Sequence, residues 1–413
     1  MPKINHYLKT AKAYASKAIS QAAKANPKIL NLSIGEPAFG PPAHLLSDIV
    51  AQDLTLAGFI DASKRYEHSR GSPTLRQAIA DWYQRCYRLK VNPECEVMVT
   101  HGGIEALSLA ILAVTDPGDA VAITDPAYTL YARSISILGR QTTTLVRGTR
   151  VHNEYVDRLD GVGGGPSLTG VRALLVNSPE NPTGYVASRQ DWNAISAAAT
   201  AVDAWVIHDE VYDTMAYQRP HIPARSVSGL EERAILVNSC SKKFGVPGLR
   251  IGWIVADSRV IEAATKAHDC LCLGVNIMFE QVAVRLLKDP SIESWCAGNH
   301  ATIAARHVRA LVELNEQAGY HWPRRPLGGM FLFPDVTLLY KRLPPAYRQN
   351  NADIGAAVTD YLLHEQMVAV VPGSVYGAAC SHHIRLTTCG PSEVFDAALA
   401  RLASVATKPP ETA

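Results

Sequence analysis

Ile235-Leu236-Val237-Asn238-Ser239-Cys240-Ser241-Lys242-Lys243-Phe244-Gly245 begins as a short apolar run and ends in small hydroxyl residues and cations. Three apolar residues, two of them β-branched, bounded by turn formers read as a buried strand. The same texture recurs upstream at Glu96–Thr100, Ala120–Thr124, Val171–Val176 and Trp205–His208, and downstream at Ile251–Ala256. Between these runs the apolar residues fall at helical spacing, over Leu75–Leu89, Ile104–Val114, Leu130–Gly139 and Gln190–Ala201. Strands alternating with helices imply an α/β chain, a three-layer αβα arrangement around a mostly parallel sheet. In such a sheet ligands bind beyond the carboxyl ends of the strands, so the residues that follow each strand carry the function.

After about residue 290 the texture changes. A long helix, roughly Cys296–Gln317, precedes Gly328-Gly329-Met330-Phe331-Leu332-Phe333, a helix at Ile354–Gln366, a strand at Val368–Val371, the run Ile384-Arg385-Leu386 and a last helix, Ser392–Val405. This reads as a smaller α+β domain. The expected division is an N-terminal arm with part of the small domain at 1–45, a large domain at 46–290 and a small domain at 291–413. Residues 3–25 read as one alanine- and lysine-rich helix with a thin apolar stripe (Ile4, Tyr7, Leu8, Ala11, Ala15, Ile19), an arm suited to lying on another surface. The Gly163–Gly165 run reads as loop punctuation.

The 413 residues are 47% hydrophobic and 19% charged, with a net charge of +2. That balance belongs to a globular protein with a large core and offers no polybasic or acidic partner surface, so no nucleic acid and no membrane is expected. No apolar stretch approaches the length of a membrane span. The eight cysteines are scattered; Cys270 and Cys272 form a C-x-C pair without a second pair at zinc spacing, so free thiols, a cytoplasmic location and no metal are expected. No acidic residue precedes Glu36, a trait of transit peptides, but arginine is absent there too.

The strand ends are polar in a consistent way. Thr100 is followed by His101-Gly102-Gly103 and a helix, and two glycines opening a helix bare backbone N–H groups suited to an anion. By itself such a pair is often only a tight turn. Val176 is followed by Asn177-Ser178-Pro179-Glu180-Asn181-Pro182-Thr183-Gly184, whose prolines would hold Asn181 inward. Ile207 is followed by His208-Asp209-Glu210-Val211-Tyr212, where an acid at a buried strand end needs a cationic or protonated partner. Ser239 leads into Lys242, and Arg250 lies eight residues on; desolvation and neighbouring cations would lower the pKa of such a lysine and favour imine formation.

Together, in this order and spacing, these motifs resemble the class I/II aminotransferases, the fold-type I enzymes that use pyridoxal 5'-phosphate (PLP), and especially their aspartate, aromatic and alanine aminotransferase-like branch. The resemblance runs from Leu32 to about Arg385. It implies Lys242 as the Schiff-base lysine rather than Lys243, because the family's eight-residue offset pairs Lys242 with the phosphate-binding Arg250. It implies Asp209 on the pyridinium nitrogen, Tyr212 and Asn181 on the phenolic oxygen, and Tyr128 stacked on the ring. Gly102, Gly103, the backbone of Ile104, and Ser239 would join Arg250 around the phosphate. Tyr66 matches a tyrosine that reaches the neighbouring subunit's phosphate, which implies a homodimer with shared active sites. Ile34 and Gly35 would meet the substrate carboxylate, and Arg385 would grip it with its two-pronged guanidinium.

The chain departs from the pattern at Ile104, where relatives carry a hydroxyl residue or a lysine; that argues against an acidic-substrate specialist. Cys240 is unusual within its motif, and His101 stands at the mouth of the Gly102-Gly103 turn as a possible acid or base. The reading is therefore a PLP-dependent aminotransferase working on an L-α-amino acid and a 2-oxo acid. The same residues would also serve elimination, replacement, cyclisation or oxidation by a relative in specialised metabolism. A regulator's sensor domain would carry a winged-helix domain and a linker ahead of Leu32; with about 30 residues there and a near-neutral charge, that reading is not the expected one.

Overall fold

A computed structural model describes residues 2–10, 15–45, 56–146, 167–349 and 352–405. The Gly163–Gly165 run and Ala11 lie outside the described residues. Twelve strands are used below: β1 Leu30–Asn31, β2 Val97–Thr100, β3 Ala120–Asp125, β4 Gln141–Val146, β5 Val171–Asn177, β6 Trp205–Asp209, β7 Ala234–Ser239, β8 Gly252–Val255, β9 Phe331–Leu332, β10 Val368–Ala369, β11 Val371–Pro372 and β12 Ile384–Thr387.

Seven of them form one sheet in the order β2-β8-β7-β6-β5-β3-β4. Alternate residues feed two separate cores. Val97, Val99, Leu174, Val176, Val206, Leu236, Trp253 and Val255 face one cluster; Met98, Val121, Ile123, Ala173, Leu175, Ile207, Val237 and Ile254 face the other. A strand apolar on both faces is what a sheet between two helical layers requires, so the αβα layering expected from sequence holds. β4 is an edge strand rich in threonine, which the strand-by-strand reading misses. Helices at Leu56–Ala62, Ser258–Leu271 and Ile277–Lys288 complete the layers.

One strand breaks the parallel pattern with consequences for the site. β8 runs antiparallel to both neighbours, with Gly252 opposite Thr100 on β2 and opposite Ser239 on β7. The start of β8 therefore lies at the carboxyl edge of the other strands, and the residues just before it, including Arg250, arrive at the ligand edge. In the parallel part the register aligns Asn177 with Asp209 and Asp209 with Val237.

The remaining strands build a separate layer: β11-β12-β9 antiparallel, and β1 parallel to β10. They pack with helices Ile354–His364 and Ser392–Ser404 around Leu32, Leu314, Leu332, Val358, Leu386 and Phe395. The long helix runs Ile292–Glu313, placing Ile292 and Cys296 in the large core and Ala310 in the small one. Within the expected helix over 3–25, residues 3–5 carry no regular secondary structure, and the described helices are His6–Thr10 and Ala15–Lys24. Among the described residues no helix is long and apolar enough to cross a membrane.

Candidate active site

A cavity of about 190 Å3 opens at the carboxyl edge, lined by residues from every strand end named above, including Gly103, Tyr128, Asn181, Asp209, Ser239, Lys242 and Arg250. Four short stretches distant in sequence meet there because the register puts Asn177, Asp209 and Ser239 on one edge and the reversed β8 adds Arg250.

The phosphate end is built by close backbone approach. A side chain on Gly252 would collide with the backbone of Gly102 and Gly103 (2.5 and 2.7 Å), so only glycine lets the turn settle onto β8. Gly102 has φ +80°, and a Cβ there would lie 2.4 Å from the Arg250 guanidinium. Arg250 itself sits at φ 56° and donates to the carbonyls of His101 (3.2 Å) and Pro247 (2.9 Å). Ser239 caps the short helix Cys240–Lys243, its hydroxyl accepting from Ser241 N–H. The result is a concave surface of helix-opening N–H groups, a hydroxyl and a guanidinium, which fits a phosphate.

At the other end Asp209 is 8% exposed. Tyr131 Oη donates to its Oδ2 at 2.5 Å and Val211 N–H to its Oδ1 at 3.2 Å. Burial pushes its pKa up to about 6, against those two hydrogen bonds. A buried acid with no ion pair among the described residues fits a protonated ring nitrogen. Asn177 braces this corner, donating to Asp209 O (2.9 Å) and accepting from Asn181 N–H (2.8 Å). Tyr131 and Asn177 are site residues that motif reading missed. The polar end of an apolar strand signals Asn177, whereas nothing in the sequence separates Tyr131 from a core tyrosine.

Lys242 is half-buried and points into the cavity, its Nζ donating to Gly35 O at 2.7 Å. Burial lowers its pKa, helped by Arg385 and Arg250 and opposed by Cys389 and Glu36. Lys243 turns the other way: fully buried, 2.8 Å from Asp213 Oδ2, between Trp82 and Trp253 at 5.0 Å each. Tyr212 and Tyr128 line the cavity, Tyr212 edge-on to Phe331 at 5.8 Å and Tyr128 edge-on to Tyr131 at 5.4 Å. Ile104 lines it as well, 39% exposed.

Arg385 is 2% exposed, brought behind Lys242 by β12. It stacks on Phe331 at 4.4 Å and donates to Ser33 O and, at 3.3 Å, to Asn181 Oδ1. Its buried Nε has no hydrogen-bond partner. A buried guanidinium short of an acceptor fits a carboxylate. Gly35 lies against Phe331, where a Cβ would come within 2.7 Å. Ile34 is half-buried beside it, away from the cavity lining. Tyr66 is not brought to this cavity: it is 81% exposed, on a separate groove formed by residues 62–67 and 273–278.

The sequence matches the family Aminotransferase class I and II over residues 27–402. It is 28% identical to the LL-diaminopimelate aminotransferase of Dehalococcoides mccartyi over 396 residues, covering 94% of each chain. It is 30% identical to the arginine–pyruvate transaminase of Pseudomonas aeruginosa over 365 residues, covering 87% of this chain and 85% of the relative. The fold superposes on aspartate aminotransferase from Thermus thermophilus with maleate at a TM-score of 0.84 and 25% identity, covering 98% and 100% of the two chains. The chain belongs to the class I and II aminotransferases. It is an enzyme of the fold-type I, PLP-dependent class, and its function is that of an aminotransferase.

Proposed function

We propose that the chain moves an amino group between an L-α-amino acid and a 2-oxo acid, with PLP joined at rest to Lys242. The observation that carries this reading is the division of labour between adjacent lysines. Lys243 is consumed by Asp213, whereas Lys242 meets only a carbonyl and faces Asp209 across the same cavity. When bound, PLP supplies the sink for electrons left at Cα. Asp209 would hold a proton at the ring nitrogen as a carboxylate, the form that the Tyr131 and Val211 hydrogen bonds favour. Arg250, the Gly102 and Gly103 turn, the Ile104 N–H and Ser239 hold the phosphate. Tyr212 and Asn181 fix the phenolic oxygen, and Tyr128 covers the ring. Gly35, with Ile34 beside it, and Arg385 orient the substrate carboxylate. Lys242, freed once the amine of the substrate takes its place on the cofactor and with its pKa lowered by desolvation, would be the base that moves a proton from Cα.

The same proposal includes a homodimer with shared sites. Its support is the position of Tyr66, outside its own cavity and exposed in a groove shared with Leu273 (53% exposed). It also includes the domain division 1–45, 46–290 and 291–413, supported by Leu32 packing into the small core. A reducing, cytoplasmic setting fits eight cysteines that are all free thiols.

The test is an absorbance spectrum of the holoenzyme during addition of a panel of L-amino acids. A donor should abolish the visible cofactor band and a 2-oxo acid should restore it. Steady product release with no oxo acid required would replace transamination by elimination, cyclisation or oxidation.

A further inference from the structure

Two i,i+4 pairs from different parts of the chain meet outside the cavity. His101 and Glu105 flank the start of helix Gly103–Val114; His268 and Cys272 close helix Ser258–Leu271. We propose that His101, Glu105 and Cys272, with His268 held against Glu105, form a binding site for a zinc-like divalent cation, tying the Gly102–Gly103 turn to the segment at Leu273–Asn276.

Ligand atoms of His101, Glu105 and Cys272 all lie within 4.8 Å of one another. Glu105 is the focus: its Oε1 is 2.8 Å from Cys272 Sγ and 3.4 Å from His268 Nδ1, while its Oε2 accepts from His101 N–H at 2.6 Å. An imidazole, a carboxylate and a thiol are all donors that zinc takes, and three protein ligands leave the fourth corner of its tetrahedron to water. His101 Nε2 lies 3.1 Å from Gly274 O; donation to that carbonyl leaves the lone pair on Nδ1, the arrangement that orients a ligating histidine. His268 is fully buried, yet neither ring nitrogen has a well-formed hydrogen bond. Its Nδ1 has an ionic contact with Glu105 Oε1 at 3.4 Å and its Nε2 no hydrogen-bond partner among the described residues; a buried imidazole so poorly matched calls for an explanation, and a cation seated on the Glu105 carboxylate supplies one. Cys272 is exposed and gives the ion a way in.

The second cluster of ligand-type residues, His208, Glu210 and His221, provides the contrast. There His208 Nε2 meets Ser178 O at 3.1 Å and Nδ1 accepts from Ala224 N–H at 3.3 Å, while Glu210 accepts from Tyr83 and from His221 at 3.0 Å. Both nitrogens of His208 and both oxygens of Glu210 are spent on the protein, with His221 Nδ1 left over, and it is a hydrogen-bond network. Cysteine spacing reports only on ligands close in sequence, whereas Glu105 and Cys272 are 167 residues apart.

The experiment is a Co2+ and Zn2+ titration of the reduced holoenzyme, followed by absorbance and by thermal melting. One equivalent of Co2+ per chain should bring up a near-ultraviolet thiolate-to-cobalt band that Zn2+ displaces, and Zn2+ should raise the Tm. Cys272→Ser should abolish the band and weaken Zn2+ binding about tenfold or more, while Cys270→Ser keeps both. No band in the wild type, a band that survives Cys272→Ser, or one lost in Cys270→Ser would overturn the assignment.

Discussion

Asp209 and Glu210 are neighbours, as are Lys242 and Lys243, yet each pair is divided between the two sides of the sheet. Asp209 and Lys242 face the cavity; Glu210 and Lys243 face the opposite core. On the core side every charge is matched. Lys243 meets Asp213, Asn238 bridges Glu210 (3.3 Å) and Asp213 (3.2 Å), Tyr87 donates to Asp213 at 2.8 Å, and His221 and Tyr83 close on Glu210. Asp213 is held below the usual carboxylate range: burial raises it, but Lys243, His221 and Tyr87 outweigh that. On the cavity side the same two residue types lack ionic partners, and burial pushes Asp209 up and Lys242 down, each towards its neutral form. The lesson is that reactivity here comes from withheld partners. The acid and amine left without an ion pair among the described residues are the ones a cofactor can use, and the ion-paired set behind them is scaffold.

The sharpest way to break this comparison is to delete each lysine. Lys242→Ala should lose the visible band of bound PLP and essentially all turnover while melting near the wild-type temperature. Lys243→Ala should keep the band but lose stability by about 3–5 kcal/mol in urea denaturation, because it strands the buried Asp213 carboxylate. Replacing both partners, Lys243→Met with Asp213→Leu, should recover most of that loss. If Lys243→Ala instead abolished the band, the two sides would have been assigned the wrong way round.

Asp209→Asn removes the cavity-side acid. Turnover should fall about 10²–10³-fold, the scale of losing one preorganised electrostatic contact, with PLP still attached to Lys242; a loss under tenfold would mean that the ring proton does not depend on this carboxylate.

The smallest effect is a pH shift. In the cofactor-free protein Asp209 titrates at about 6, above its unfolded value near 3.9. Between those values the folded chain keeps a proton that the unfolded chain releases, so stability contributed by this group is present below about pH 4 and is lost as pH rises through about 6. Against wild type, Asp209→Asn should therefore gain relative stability across that window and level off above it. Tyr131→Phe, by removing the hydrogen bond that favours the carboxylate, should move the levelling point to higher pH. An unmoved midpoint would assign the Asp209 shift to burial alone.

Much of this was legible in residues. Alternating apolar runs placed β2, β3, β5, β6 and β7 within a residue or two, because a strand buried on both faces has a distinctive texture. Gly102, Asn181, Asp209, Ser239 and Lys242 were legible because polar residues directly after such strands have few structural uses. β4 was missed because its run of three threonines carries weak apolar signal on an edge. The domain-spanning helix was placed four residues late, since its first turn, at Ile292 and Glu293, continues the previous loop without a strong cap. Tyr131 and the Glu105 cluster were invisible, because each depends on a partner tens to well over a hundred residues away.

The sequence by itself determined the strand and helix menu, the chemical types at each strand end and the order in which they occur, since these are properties of local pattern. Tertiary structure decided the direction of β8, which carries Arg250 to the phosphate turn, and the register that sets Asn177 beside Asp209. It also decided which lysine faces the cleft and left the Nε of Arg385 without an acceptor. Each of these depends on which distant groups come within a few ångströms, and at that range partnering, or its absence, sets a side chain's charge and reactivity.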